Sequence, residues 1–343
     1  MHRTLRAPLG LTLALVAVVS AACGGTAAPT TSAQPSAAAA SPAASKGPRL
    51  GSFDRPIVMA FVPSQDTARI TASGKAIAAS LEKATALKWD VKVPTSYAAT
   101  IEGMCAGQID VAWLAPLSYV TAHQKNCANV LLASVRNDET GKPSTTYNSQ
   151  IVVRSDSGIK DLAGLKGKKF AFVDPLSTSG TLFPMVQIKQ QTNMEPKAFF
   201  SQTIFAGGHD KSMLAVYQGQ VDGAASFIDA RDQLEKTFPD IKQKTTRILT
   251  AGPIPNDTVS VRSGFPQDLA TQIQKALLDY AKTDDGKKAL KALYSIDGLA
   301  TTDAKLYDPL LAAAKIAGLD LEKEAQATAV PVKTAAPSPT KAP

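Results

Sequence analysis

Several signatures that announce catalysis or nucleic-acid binding are missing from this 343-residue chain. It has three Cys and three His, none clustered at metal-ligand spacing, so neither a structural nor a catalytic metal site is expected. There is no G-x-S-x-G elbow. Ser177, His209 and Asp229 can be written as a triad, but Ser177 lies inside a cluster of hydroxyl residues, which is a poor setting for a lone nucleophile. Gly164-Leu165-Lys166-Gly167-Lys168 lacks the spacing and the closing Ser or Thr of a P-loop. No cofactor is expected. The formal charge of +8 falls to +6 when Arg3 and Arg6 are set aside with the N-terminal segment. The remaining excess is spread over many Lys without interleaved aromatics, so nucleic acid is not an expected partner. Beyond the first twenty or so residues no run is apolar enough to span a bilayer. These absences favour binding over chemistry.

What is present begins with Arg3 and Arg6, an apolar run from Leu9 to Val19, and the small residues Ser20-Ala21-Ala22 before Cys23. That layout predicts a signal peptide over residues 1–22, too short to be a permanent span. The placement of Cys23 resembles a bacterial lipobox, with Ser20 where Leu is usual. It implies a diacylated Cys23 as first mature residue; an ordinary secretory signal with a leftover Cys is the competing reading. Residues 23–49 then form a spacer of Gly, Ala, Pro, Ser and Thr that buries too little to order itself. The expected location is extracytoplasmic, on the outer face of the cell membrane. Residues 325–343 have similar composition and are expected to be loose as well. With Cys23 lipidated, Cys105 and Cys127 remain as an even pair in an oxidising compartment, either disulfide-bonded or separately buried.

From Pro56 onward, short β-rich runs alternate with helix-length segments. Ile57 to Val62 is a continuous apolar run, as in a strand buried on both faces. Val91–Val93, Ile109–Trp113, Gln150–Val153, Lys169–Val173, Thr203–Phe205, Gly223–Phe227 and Thr258–Arg262 also read as strands. Tyr97–Ala106, Gly180–Gln191, Asp210–Tyr217, Ala270–Lys282, Gly286–Tyr294 and Asp303–Ile316 read as helices. This alternation predicts an α/β fold of βαβ units with largely parallel sheets. Such sheets bind ligands at the carboxyl ends of their strands.

The polar residues that follow the strands are therefore the candidates. Ser177-Thr178-Ser179-Gly180 opens a helix with three hydroxyls beside unpaired backbone N–H groups, though a plain N-cap would look the same. Gly180 would let a ligand approach closely. His209 follows Gly207-Gly208 and could donate to an oxyanion, especially when protonated. Asp229 and Asp257 follow strands or turns, and Tyr97 begins a helix and could donate its hydroxyl.

Five blocks carry a resemblance over about Asp54 to Gly318. They are Phe61-Val62-Pro63-Ser64-Gln65-Asp66, Asp110 to Tyr119, Asp174 to Gly180, Gly207 to Asp210, and Pro253 to Asp257. In this order they resemble the phosphate/phosphite/phosphonate-binding proteins of ATP-driven importers, which have the type II periplasmic-binding-protein fold. The resemblance implies two lobes, each a mostly parallel sheet flanked by helices, joined by a two-crossover hinge. Residues 54–147 and 257–324 would form lobe 1 and 148–256 lobe 2, with crossings near Thr146 and Gly252-Pro253. It further implies that Ser177, Thr178, Ser179 and His209 hold the phosphorus-bound oxygens while Tyr97 closes over them. Asp229 and Asp257 would face a ligand amine or an acidic P–OH. Leu114 stands where some phosphonate binders carry Tyr, and Asp229 where Glu is frequent. Phosphite, methylphosphonate and phosphate therefore stand beside aminoalkylphosphonates as ligands. The implied activity is capture by a monomer through lobe closure, with delivery to a membrane permease and no catalysis. A same-fold receptor for another small solute, such as a sulfur compound or a thiamine precursor, and a ligand sensor for a membrane receptor are the alternatives.

Overall fold

The computed structural model describes residues 48–228 and 230–326. The expected signal peptide, Cys23, most of the spacer, the candidate Asp229 and the tail beyond Gln326 lie outside the described residues.

The first lobe opens with β1 (Ile57–Phe61), whose Ile57, Met59, Ala60 and Phe61 have no exposed surface. Helix α1 (Thr67–Thr85) starts where the Asp66 carboxylate accepts the Arg69 N–H at 2.8 Å. It ends at Ala86 in the left-handed region, φ 56°. Ile70, Ile77 and Leu81 recur at helical spacing and bury its inner face. There follow β2 (Trp89–Lys92), α2 (Tyr97–Cys105), β3 (Val111–Leu114), α3 (Pro116–Gln124), β4 (Ala128–Asn137) and β5 (Pro143–Ser144). A disulfide joins Cys105 at the end of α2 to Cys127 just before β4.

The chain then crosses into the second lobe. This comprises β6 (Thr146–Arg154), β7 (Lys169–Phe172) and a π-turn over Thr178–Leu182 that runs into α4 (Phe183–Thr192). Next come α5 (Pro196–Phe199), β8 (Gln202–Phe205), α6 (His209–Tyr217), β9 (Gly223–Phe227), α7 (Ile241–Lys244) and β10 (Thr245–Pro255). The return to the first lobe supplies β11 (Thr258–Arg262), α8 (Gln267–Tyr280), α9 (Asp284–Tyr294), β12 (Gly298–Ala300), α10 (Pro309–Ala317) and α11 (Leu321–Gln326). Because α11 packs on α2 and buries Ala325, the first residues of the stretch expected to be loose are helical.

The sheet orders are β12-β4-β11-β3-β1-β2, with β5 beside β4, and β10-β6-β9-β7-β8. The parallel part expected from strand–helix alternation is β3-β1-β2 in one sheet and β9-β7-β8 in the other. The remaining strands run antiparallel. The reason lies in the crossings: β6 and β10 carry the chain out and back as an antiparallel pair, and β11 returns antiparallel to both β3 and β4. The two passages lie side by side, the Asn256 N–H donating to Thr145 O at 2.9 Å. The return passage is thus at Asn256, just beyond the Gly252-Pro253 pair.

The largest core cluster surrounds the first sheet and takes in Leu176, Leu182 and Val186 from the second lobe. Two smaller clusters cover the faces of the second sheet.

Candidate functional site

The carboxyl ends of β1 and β3 in one sheet and β7 and β9 in the other face a common cleft. Cross-lobe hydrogen bonds hold it shut. Thr178 Oγ1 accepts the Leu117 N–H at 2.8 Å, and Ser118 Oγ donates to Leu176 O at 3.1 Å. The His209 N–H donates to Ser64 O at 2.7 Å. Gly207 (φ +77°) makes the tight turn that delivers His209 there. Helix α3 has Ala115 at its N-cap and no side-chain cap of its own, so Thr178 supplies the missing acceptor from the other lobe.

Between the lobes lies a small cavity of about 20 Å³. Lobe 2 lines it with Ser177, Ser179, His209, Tyr147 and Phe227; lobe 1 adds Tyr97, Arg136, Asp257, Tyr294, Ser64 and Gln65. Ser177 and Ser179 sit where the π-turn begins. The Ser177 hydroxyl accepts the Gly180 N–H at 3.1 Å, and Ser149 Oγ donates to Ser179 O at 2.6 Å. A Cβ on Gly180 would lie 2.3 Å from Val173 Cγ2, so its missing side chain makes room for Val173, just after β7, rather than for a ligand.

The charges are arranged unevenly. Arg136, at the end of β4, donates to Asp257 Oδ2 at 2.5 Å and to Asn256 Oδ1 at 2.7 Å. It also reaches Tyr294 O and lies 5.0 Å from the Tyr147 ring centroid. Burial works against its charge, but the adjacent Asp257 carboxylate more than offsets this and raises its pKa. Burial lowers the His209 pKa to about 3, with Arg136 adding to the effect. His209 is therefore neutral in this cavity, not the protonated donor considered from sequence. Its Nδ1 lies 2.9 Å from Ser226 Oγ. Among the described residues no hydrogen bond joins it to Ser177, the pairing a serine nucleophile would need. Burial also raises the pKa values of Tyr97, Tyr147 and Tyr294, which keeps all three as neutral phenols. The Tyr294 hydroxyl donates to Val62 O at 2.6 Å.

Five sequence candidates therefore meet in one cavity: Tyr97, Ser177, Ser179, His209 and Asp257. Thr178 is not among the lining residues; it is fully buried and engaged with α3. Asp257 faces the cavity, but its carboxylate is already paired. Arg136, Tyr147 and Tyr294 were not anticipated. A charged residue after the mostly apolar stretch Val130–Val135, broken only by Ser134, is the available signal for Arg136, since ligands gather at strand ends.

A family model for the periplasmic substrate-binding proteins of ABC transporters for phosphonate matches residues 59–307. The chain belongs to this phosphonate-binding family. Within it, the phosphate-import protein PhnD of Mycolicibacterium smegmatis is 34% identical over 225 residues, covering 62% of this chain and 63% of that protein. The phosphonates-binding periplasmic protein of Escherichia coli is 30% identical over 231 residues, covering 66% of each. The matched stretch thus spans just under two thirds of both relatives. A binding protein component of an ABC phosphonate transporter from Pseudomonas aeruginosa superimposes with a TM-score of 0.70 at 22% identity, over 77% of this chain and 87% of that one. PhnD1 from Prochlorococcus marinus, solved with methylphosphonate, gives 0.66 at 18% identity, over 76% and 97%. Both share the two-lobed fold.

Proposed function

We propose that the chain is the substrate-binding component of an ABC importer, which captures a small phosphorus oxyanion between its lobes and presents the closed form to a membrane permease. One observation carries this reading: among the described residues, neutral donors from both lobes converge with a single guanidinium on one small cavity. Buried hydroxyls, phenols and a neutral imidazole can donate to several oxygens of one tetrahedral anion. Each would strengthen closure, because Ser177, Ser179 and His209 come from one lobe and Tyr97 from the other. The relatives that import phosphate or bind phosphonates support the same ligand class.

In this reading the protein is extracytoplasmic and tethered by lipid on Cys23, acts as a monomer, and carries out no catalysis. Asp229, by resemblance, would be a further ligand contact. Calorimetric titration of the purified protein with phosphate, phosphite, methylphosphonate and sulfate tests the proposal. Tight one-to-one binding of a phosphorus compound with sulfate silent is expected. Silence across all four would reduce the hydroxyl cluster to a helix cap. Incorporation of a labelled fatty acid, lost in Cys23→Ala, is the corresponding test of the tether.

A further inference from the structure

Arg136, the only guanidinium among the described residues that line the cavity, is held by the protein rather than left for a ligand. Of the five N–H groups of Arg136, Nε–H and one Nη2–H converge on Tyr294 O at 3.3 and 3.2 Å. The other Nη2–H goes to Asp257, and one Nη1–H to Asn256 Oδ1 at 2.7 Å. One N–H remains. Tyr294 and Asp257 belong to the first lobe and Asn256 lies on the return passage beside it, so this network draws no anchor from the body of the second lobe. Asn256 is itself fixed, its Nδ2 donating to Ser144 O at 2.9 Å and its carbonyl accepting from the Tyr307 hydroxyl at 3.1 Å. Arg136 is thus a pinned cation, with little freedom to swing onto a ligand as a two-pronged clamp.

Asp257 is the one carboxylate among the described residues lining the cavity. A carboxylate in so dry a place needs a cationic partner, and in an empty site that demand could be met by a ligand's ammonium. Here it is met from within. The wider groove that adjoins the cavity at Arg136, Tyr147 and Phe227 shows the same pattern. Glu139 is paired with Arg247, Asp232 with Lys242, and Asp297 with Lys291. Among the described residues, no carboxylate in the cavity or the groove that lies within reach of a cation lacks one of the protein's own, except Asp138, which is folded onto the N–H groups of Thr140 and Lys142.

We infer that Arg136 is a specificity-determining residue, a built-in counter-cation that occupies the place of a ligand's amine and makes the receptor select small phosphorus oxyanions without one. This rests on the phosphorus-oxyanion reading above. An aminoalkyl ligand would find the Asp257 carboxylate taken and a fixed positive charge beside its ammonium. Like charges at such range in a partly dry site weaken binding by on the order of 100-fold. A small anion without an amine meets only the favourable half of that arrangement.

The test is calorimetry on the full protein with methylphosphonate and 2-aminoethylphosphonate, for the natural sequence, Arg136→Met, and Arg136→Met combined with Asp257→Asn. The natural protein is expected to favour methylphosphonate by on the order of 100-fold. Arg136→Met frees Asp257 and should invert the preference, and the double variant should show little preference either way. Equal affinity of the natural protein for both compounds overturns the inference while leaving the oxyanion reading intact. Failure to bind either compound, or phosphate, overturns the reading beneath it. If Arg136→Met alone does not fold, the double variant decides: discrimination as strong as in the natural protein would show that Arg136 is not its source.

Discussion

The two lobes bring different chemistry to one cavity. The first lobe contributes charge, the Arg136–Asp257 pair, braced by Asn256 and Tyr294 and complete without the other lobe. The second contributes neutral donors, Ser177, Ser179 and an uncharged His209, on a π-turn and a helix end across the cleft from Tyr97. On the inference drawn above, lobe 1 would set the electrostatic selection in advance. On the proposed reading, lobe 2 would couple recognition to movement, since a ligand bridging its donors to Tyr97 would make closure more favourable. The division places selectivity and closure on separable residues.

The strongest way to break this comparison is to strip lobe 2. Ser177→Ala with His209→Ala removes two donors to a charged ligand, at about 1.5–3 kcal/mol each. Affinity should fall by two to four orders of magnitude in calorimetry while far-UV circular dichroism is unchanged. A removal far from the cavity should do the reverse. Cys105→Ser with Cys127→Ser opens a loop spanning 22 residues and should lower the denaturant-unfolding free energy by about 3 kcal/mol, with ligand affinity within twofold of normal.

Thr178 sharpens the comparison further. Its hydroxyl caps α3 across the cleft, so Thr178→Val should cost closure about 1 kcal/mol, the usual worth of an N-cap. Ligand release should become faster by roughly fivefold in stopped-flow, and Thr178→Ser should restore it. An unchanged release rate would mean that the cross-lobe cap does not contribute to holding the cleft shut.

The smallest effect is on pH dependence, where two groups act in opposite directions. The native His209 pKa is lowered from 6.5 to about 3, chiefly by burial. Between those values the unfolded chain holds a proton that the native one does not, so stability falls as pH drops through this window. Burial raises the Asp174 pKa from 3.8 to about 6. Between those values the native chain holds the extra proton, so stability rises as pH drops. The two partly cancel near pH 5. Asp174→Asn should therefore steepen the loss of stability between pH 6.5 and 4 in thermal melts, and His209→Gln should flatten or reverse it.

Much of this organisation could be read from residues in order. Apolar runs such as Ile57–Phe61, followed by helix-length segments, foretell the α/β sheets, and Ser177, Ser179, His209, Tyr97 and Asp257 stand at strand ends where such sheets bind ligands. The rest was not local. A charge near the end of a strand reads as a surface residue, and Arg136 joins the site only because β11 packs beside β4 and brings Asp257 within reach. Strand β10 contains Gly252, Pro253 and Pro255, which break a strand pattern but are tolerated at a sheet edge. Tyr147 and Tyr294 join the site from segments far apart in the chain. Thr178 looks like its neighbours in sequence, and only the position of α3 in the opposite lobe turns its hydroxyl away from the cavity.

The most direct measurement is a crystal structure of the protein with methylphosphonate. The account predicts the phosphorus oxygens within hydrogen-bond reach of Ser177 Oγ, Ser179 Oγ and the His209 ring, with Arg136 still paired to Asp257. An anion bound elsewhere, or an Arg136 that has left Asp257 to grip the ligand with two N–H groups, would contradict it.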